Sequence, residues 1–138
     1  MLQLNIIRNP GAAFSTGTGY TWVFTTLSIA ATIGVLWFAR RVRHRGWAFA
    51  LGILIAGVSG NLVDRLLREP GFYVGHVVDF LQLPNWPIFN VADMCINVAA
   101  VLIVILSFKG IGLDGSIDGG ADDEAEEKSA DASEGEAK

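Results

Sequence analysis

Three apolar runs, each near the length of a bilayer crossing, constrain this chain more than any other feature. Tyr20–Ala39 (YTWVFTTLSIAATIGVLWFA) contains no charge at all. Trp47–Val63 (WAFALGILIAGVSGNLV) extends through Leu66 and Leu67, and Phe89–Phe108 (FNVADMCINVAAVLIVILSF) holds one acid, Asp93. About 20 helical residues cross the hydrocarbon core of a bilayer. Backbone in that core must satisfy its own N–H and C=O groups, which a helix does within one segment. The runs therefore predict an all-α integral membrane protein, a small helical bundle with spans at about 20–39, 47–67 and 89–108. Aromatic residues at the run ends (Tyr20, Trp22, Trp37, Phe38, Trp47, Phe108) match an interfacial belt.

Composition agrees, with 51% hydrophobic residues, 17% charged residues and a mean hydropathy of +0.43. Charge divides the chain in two. Residues 1–108 carry seven arginines against Asp64, Glu69, Asp79 and Asp93, whereas from Lys109 onward ten acids face three lysines. The expected organisation is a membrane domain over 1–108 and a disordered acidic tail over 109–138. The acidic balance excludes a nucleic-acid partner on charge grounds. Arg40, Arg41, Arg43 and Arg45 crowd the short link between the first two runs, which predicts a cytoplasmic loop there. It follows that residues 1–19 and 68–88 face outward as a platform and lid at the outer membrane edge, with the tail inside. Met1–Arg8 has neither a basic n-region nor an apolar h-region, so an earlier helix is expected ahead of it. The lone Cys95 excludes an internal disulfide, and no zinc spacing or phosphate loop is present, so no metal or cofactor is expected. Gly52, Ala56 and Gly60 form a small-residue seam suited to close helix approach.

Ionisable groups inside a membrane segment are costly and mark functional candidates. Asn61, Asp64, Arg65 and Arg68 fall on one face of the second helix, and Asn90, Asp93 and Asn97 on one face of the third. Asp79 sits in the loop between them, in His-Val-Val-Asp-Phe. Pro84 and Pro87 forbid a continuous helix after it and permit a turn back toward the membrane. Asp79 and Asp93 can thereby meet, and two adjacent carboxylates share one proton, giving an acid and a base at neutral pH. That is aspartic-protease chemistry. Two other readings remain open: an ion or proton transporter using Asp64, Asp79 and Asp93 as a relay, and a non-catalytic scaffold assembling through the small-residue seam.

Four motifs in order, Asn9-Pro10-Gly11-Ala12-Ala13-Phe14-Ser15, Gly60-Asn61-Leu62-Val63-Asp64-Arg65, Val78-Asp79-Phe80 and Phe89-Asn90-Val91-Ala92-Asp93, resemble those of bacterial lipoprotein signal peptidase, or signal peptidase II. The resemblance covers about Met1 to Phe108 and implies a membrane aspartic endopeptidase of four helices, the first of which precedes the Asn9 motif. It implies cleavage of diacylglyceryl-modified prolipoproteins just before the lipidated cysteine, in the bacterial cytoplasmic (inner) membrane, with the site on the extracytoplasmic side. Asp79 and Asp93 match the family's catalytic aspartates; Asn9, Gly11, Asn61, Asp64, Arg65, Asn90 and Ala92 match residues that line or brace its substrate site. The expected partners are prolipoprotein substrates and membrane lipid, and the expected state is a monomer.

Overall fold

The computed structural model describes residues 1–11 and 19–117. The apolar runs become three helices: α1, Thr21–Ala39; α2, Arg45–Leu67; and α3, Val91–Phe108. Each is long and apolar enough to cross a membrane. Among the described residues the buried apolar side chains are only Ala50, Leu51, Val77 and Ala99, while Ile33, Leu36, Val101, Val104 and Phe108 are exposed. The largest fully buried side chains are Thr25 and Asp79. A chain that buries polar groups and exposes large apolar side chains along three helices has lipid as its outer solvent. This is a multi-pass membrane protein.

Helices α2 and α3 pack through small residues, of which only Gly60 belongs to the expected seam. A Cβ added at Gly57 would lie 2.6 Å from the Ala92 carbonyl oxygen and 2.8 Å from Ile96 Cγ1. One at Gly60 would lie 3.2 Å from Ala92 Cβ, whereas nothing lies within 4 Å at Gly52. The contact therefore runs through Gly57 and Gly60, and Gly52 and Ala56 are exposed. The four-residue spacing of the expected seam advances about 40° per step around a helix of 3.6 residues per turn. It therefore drifts off a face that a three-residue step and a four-residue step share.

The expected platform is built from a feature that the hydropathy pattern does not display. β1 (Gln3–Asn9) pairs antiparallel with β2 (Val77–Gln82). Leu4 faces Leu81, Ile7 faces Asp79 and Asn9 faces Val77, so β1 carries one extra residue, a bulge, between Leu4 and Ile7. After β2 the chain turns through Leu83–Ile88 and returns, with Phe89 N–H donating to the Leu81 carbonyl at 2.9 Å and Leu81 N–H to the Phe89 carbonyl at 2.8 Å. Pro84 and Pro87 punctuate that turn, and Asn85 takes φ +57°, a left-handed conformation that asparagine tolerates. The return delivers Asn90 to the start of α3.

Between α2 and β2, Gly75 closes against the end of α2. Its N–H donates to the Arg65 carbonyl at 2.9 Å, and a Cβ there would lie 2.5 Å from the Asp64 carbonyl oxygen, so only glycine fits. Of the segment expected to be a disordered tail, residues 109–117 are folded. Trp47 Nε1 donates to the Ile111 carbonyl at 2.8 Å, and Ile111 and Ile117 pair across a short turn. Residues 118–138 lie outside the described residues, as do 12–18, which include Ala12 to Ser15 of the first motif.

Gly57→Leu should lower the melting temperature in detergent by several degrees, since overpacking costs about 1–3 kcal/mol. Gly52→Leu, facing open space, should leave it unchanged. Circular dichroism on both variants checks the pair; equal sensitivity would reinstate the Gly52 seam.

Candidate active site

The two carboxylates are joined by an amide relay. Asp79, on β2, is 2% exposed. Its Oδ2 accepts from Asn9 Nδ2 at 3.0 Å and its Oδ1 from Asn90 Nδ2 at 2.7 Å. Asn90 Nδ2 also donates to Asn61 Oδ1 at 3.1 Å, and Asn61 Nδ2 donates to Asp93 Oδ1 at 2.9 Å. Asp93 is the third residue of α3, where its Oδ2 accepts the Asn90 N–H while Asn90 Oδ1 accepts the Asp93 N–H, both at 3.0 Å. This reciprocal capping box places Asp93 at the helix mouth. Local capping, strand pairing and the α2–α3 contact thus bring Asn9, Asn61, Asp79, Asn90 and Asp93 into one network.

Arg65 is buried beside this network, with its guanidinium carbon 5.5 Å from the centre of the Phe24 ring. Its Nη2 donates to the Gly11 carbonyl at 2.7 Å, and Gly11 N–H in turn donates to Asn9 Oδ1 at 3.0 Å. Asn9 is therefore oriented from both sides, one amide atom on its own turn and the other on Asp79. The Asp79 carboxyl is raised above its ordinary value of 3.8 by burial, and the nearby negative charge of Asp93 adds to the rise. The amides of Asn9 and Asn90 and the charge of Arg65 oppose it.

Asp64 and Ala92 brace the site without lining it. Asp64 Oδ2 accepts the Val78 N–H at 3.0 Å, one residue from Asp79, and Oδ1 pairs with Arg68. The face shared by Asn61, Asp64, Arg65 and Arg68 in the sequence splits, because these four spread over an arc of about 100° on the helix. Asn61 and Arg65 look into the bundle, and Asp64 and Arg68 toward β2 and solvent. Ala92 contributes the close contact with Gly57 and Gly60.

A cavity of about 630 Å³ opens onto the relay. Asn9, Asn61, Arg65, Asp79 and Asp93 form its polar wall; Phe24, Leu27 and Ala31 of α1, Val58 of α2, and Ile96 of α3 form its apolar one. Trp86 and Pro87 stand at its rim, and Asn97 donates back to the Asp93 carbonyl at 2.9 Å. The α1 wall was missed by sequence reasoning. Its signal is a hydroxyl stripe on a chargeless helix. Thr21 donates to the Pro10 carbonyl at 2.6 Å, Thr25 to the Tyr73 carbonyl at 2.9 Å, and Ser28 lines the cavity.

Fold and site together define a multi-pass α-helical membrane protein with two carboxylates set into the wall of one largely apolar cavity. The family model described as Signal peptidase (SPase) II matches residues 1–109, and the chain belongs to that family. The lipoprotein signal peptidase of Leifsonia xyli subsp. xyli (strain CTCB07) is 51% identical over 116 residues, 83% of this chain and 54% of that protein. That of Mycobacterium leprae (strain Br4923) is 50% identical over 109 residues, 79% of this chain and 54% of that protein. The chain thus spans about half the length of these curated relatives. A solved bacterial membrane enzyme, determined by the in meso method at 2.3 Å resolution, superposes with a TM-score of 0.70 at 31% identity. That likeness covers 78% of this chain and 66% of the other.

Because the folded protein raises the Asp79 pKa, it holds a proton that the unfolded chain releases. Asp79 therefore favours the fold at low pH and costs stability as pH climbs from 3.8 through the raised value. Asp79→Asn should match or exceed the parent melting temperature at pH 7, with the gap closing toward pH 4. A variant markedly less stable than the parent at pH 7 would show that Asn9 and Asn90 require a carboxylate there.

Proposed function

We infer that this chain carries the active site of an aspartic endopeptidase that removes signal peptides from diacylglyceryl-modified prolipoproteins, cutting before the lipidated cysteine. The observation that carries the reading is the pair Asp79 and Asp93, joined through Asn90 and Asn61 at the wall of one apolar cavity, in a chain of the SPase II family.

In this reading Asp79, whose pKa burial raises, supplies the proton and Asp93 acts as the base. A water between them attacks the scissile carbonyl carbon. Its proton passes to Asp93, and the Asp79 proton goes to the carbonyl oxygen, giving a neutral tetrahedral diol. On collapse the C–N bond breaks, Asp93 returns its proton to the departing cysteine amine, and one diol hydroxyl returns a proton to Asp79. Both carboxylates end as they began, and no metal or cofactor enters.

The remaining residues position these groups. Asn61 and Asn90 hold the carboxylates without adding charge. Arg65 fixes the Gly11 carbonyl, and through Gly11 the Asn9 amide that orients Asp79. Asp64 anchors the start of β2, and Ala92 sets the spacing of α2 and α3. The cavity volume of about 630 Å³ suits a ligand pocket. Its apolar wall suits acyl chains entering from the bilayer between helices. The loop Arg40–Arg45 lies at the other end of α2 from Asn61 and Arg65, so the positive-inside rule supports a site on the extracytoplasmic side of the cell membrane.

Asp79→Asn and Asp93→Asn should each cut turnover by several orders of magnitude while leaving membrane insertion and lipid-substrate binding largely intact. The double variant should be no worse than either single one, because the pair acts as a unit. Asp64→Asn should instead lower stability, through loss of its hold on Val78. Gel-shift cleavage of a diacylglyceryl prolipoprotein at matched enzyme concentration reads the two single dyad variants and the double one, and the melting temperature in detergent reads Asp64→Asn. Substantial cleavage by either dyad variant would remove the assignment.

A further inference from the structure

At the end of the bundle away from the cavity, α1 finishes, α2 begins and α3 finishes. Arg40, Arg41, Arg43 and Arg45 lie there within six residues, all four exposed. Arg41 stacks on the Trp37 ring at 4.4 Å, a contact that leaves its charge uncompensated. Among the described residues the ion pairs are Arg8 with Glu69 and Arg68 with Asp64, so none of these four arginines is in ion-pair contact there, and Asp114 of the following turn acts on Arg43 through its charge alone. Four like charges so close repel one another, and a nearby anion eases that repulsion.

The chain itself brings one. After α3 it folds back over this loop. Arg43 N–H donates to the Leu113 carbonyl at 2.8 Å and His44 N–H to the same oxygen at 3.2 Å. Gly115 sits against the His44 ring, with 3.9 Å from its Cβ position to His44 Cβ. The docked turn ends at Ile117, paired with Ile111. Whatever follows Ile117 is therefore released beside the arginines. Residues 118–138 carry nine acids, among them Asp122, Asp123, Glu124, Glu126 and Glu127, against Lys128 and Lys138. Five residues of extended chain reach at most about 17 Å, enough to lay Asp122–Glu127 across a six-residue loop.

We propose that the exposed cluster Arg40, Arg41, Arg43 and Arg45 is a docking surface for the acidic segment 118–138 of the same chain. The turn 109–117 acts as the tether that delivers this segment. Tethering makes the contact intramolecular, with an effective concentration in the mM range, so many weak pairs suffice. No fixed geometry is required, since exposed charge pairs act by proximity and are screened by salt. Anionic lipid headgroups are attracted to the same arginines. A docked segment shields the cluster from them, so the segment competes with the bilayer for this end of the protein.

The test is limited digestion with an arginine-specific protease, which spares Lys109 and leaves the segment attached. Three forms are compared in a detergent with uncharged headgroups: the full chain, the chain ending at Ile117, and the full chain with its nine acids after Ile117 replaced by asparagine and glutamine. Cleavage at Arg40–Arg45 should be several-fold slower in the full chain than in the other two, and the difference should vanish at 1 M salt. Cleavage at the distant, exposed Arg8 serves as an internal reference and should be alike in all three. Equal rates at Arg40–Arg45 in the three forms would overturn the proposal. So would protection that arises only when phosphatidylglycerol is added and is then the same in all forms, because headgroups would then be the occupant.

Discussion

The structure depends on one side chain. Asn90 accepts the Asp93 N–H at the start of α3, donates to Asp79 on β2, and donates to Asn61 on α2. A helix cap, a strand-to-helix bridge and a helix-to-helix bridge thus meet in a single carboxamide. A buried amide left without partners costs about 1–3 kcal/mol, so each element holds the others in register through it. The capping box sets where α3 begins, and with it how far Asp93 stands from Asp79. Serine could cap the helix equally well, but it is too short to reach both neighbours as well.

Lipid explains why so much rests on polar contacts. Between apolar helices in hydrocarbon there is no hydrophobic drive to associate, and close packing and hydrogen bonds must supply the specificity. The described residues bury four apolar side chains and five polar ones, Thr21, Thr25, Arg65, Asp79 and Asn90, so the order of a water-soluble core is inverted. Gly57 and Gly60 let α3 approach α2, and the polar ends of the helices then decide which residues meet. All the hydrogen-bonded charge of the site sits at one end of the bundle. The arginines sit at the other, where headgroups and water can solvate them.

The helices were legible because hydropathy is a signal repeated over about 20 residues, and lipid removes the competing demand for a tertiary core. Asp79 and Asp93 were legible as a pair because carboxylates among apolar residues need a reason, and two prolines between them require the chain to double back. The strand pairing was not. Asn9 and Asp79 are separated by 70 positions, and a seven-residue strand with a bulge shows no clean alternation. The hydroxyl stripe of α1 was visible as letters but not as a wall, since threonine in a membrane helix can equally bond to its own turn, as Thr32 does to Ser28. The division of Asp64 from Arg65 was also hidden. Adjacent residues on a helix point about 100° apart, and only the neighbours reveal which edge faces the site.

The choice of partners around Asp79 shows how the site keeps its chemistry. A guanidinium paired directly with Asp79 would favour the ionised form strongly and undo the rise in pKa that burial gives it. Arg65 acts on Asp79 through its charge but forms no ion pair with it, its Nη2 being committed to the Gly11 carbonyl. The contacts to Asp79 itself are neutral amides, from Asn9 and Asn90. Those two hold the carboxyl in place at a smaller cost to its proton affinity than a cation would exact, and burial prevails over them. Arg65 thus acts one step removed, orienting Asn9 through Gly11. The same logic separates the third carboxylate. Asp64 has Arg68 as a direct ionic partner and a backbone N–H as its other, which suits an anchor for β2. Environment alone sets the three aspartates apart: Asp79 is buried among amides, Asp93 sits in the cap of α3, and Asp64 is ion-paired with Arg68.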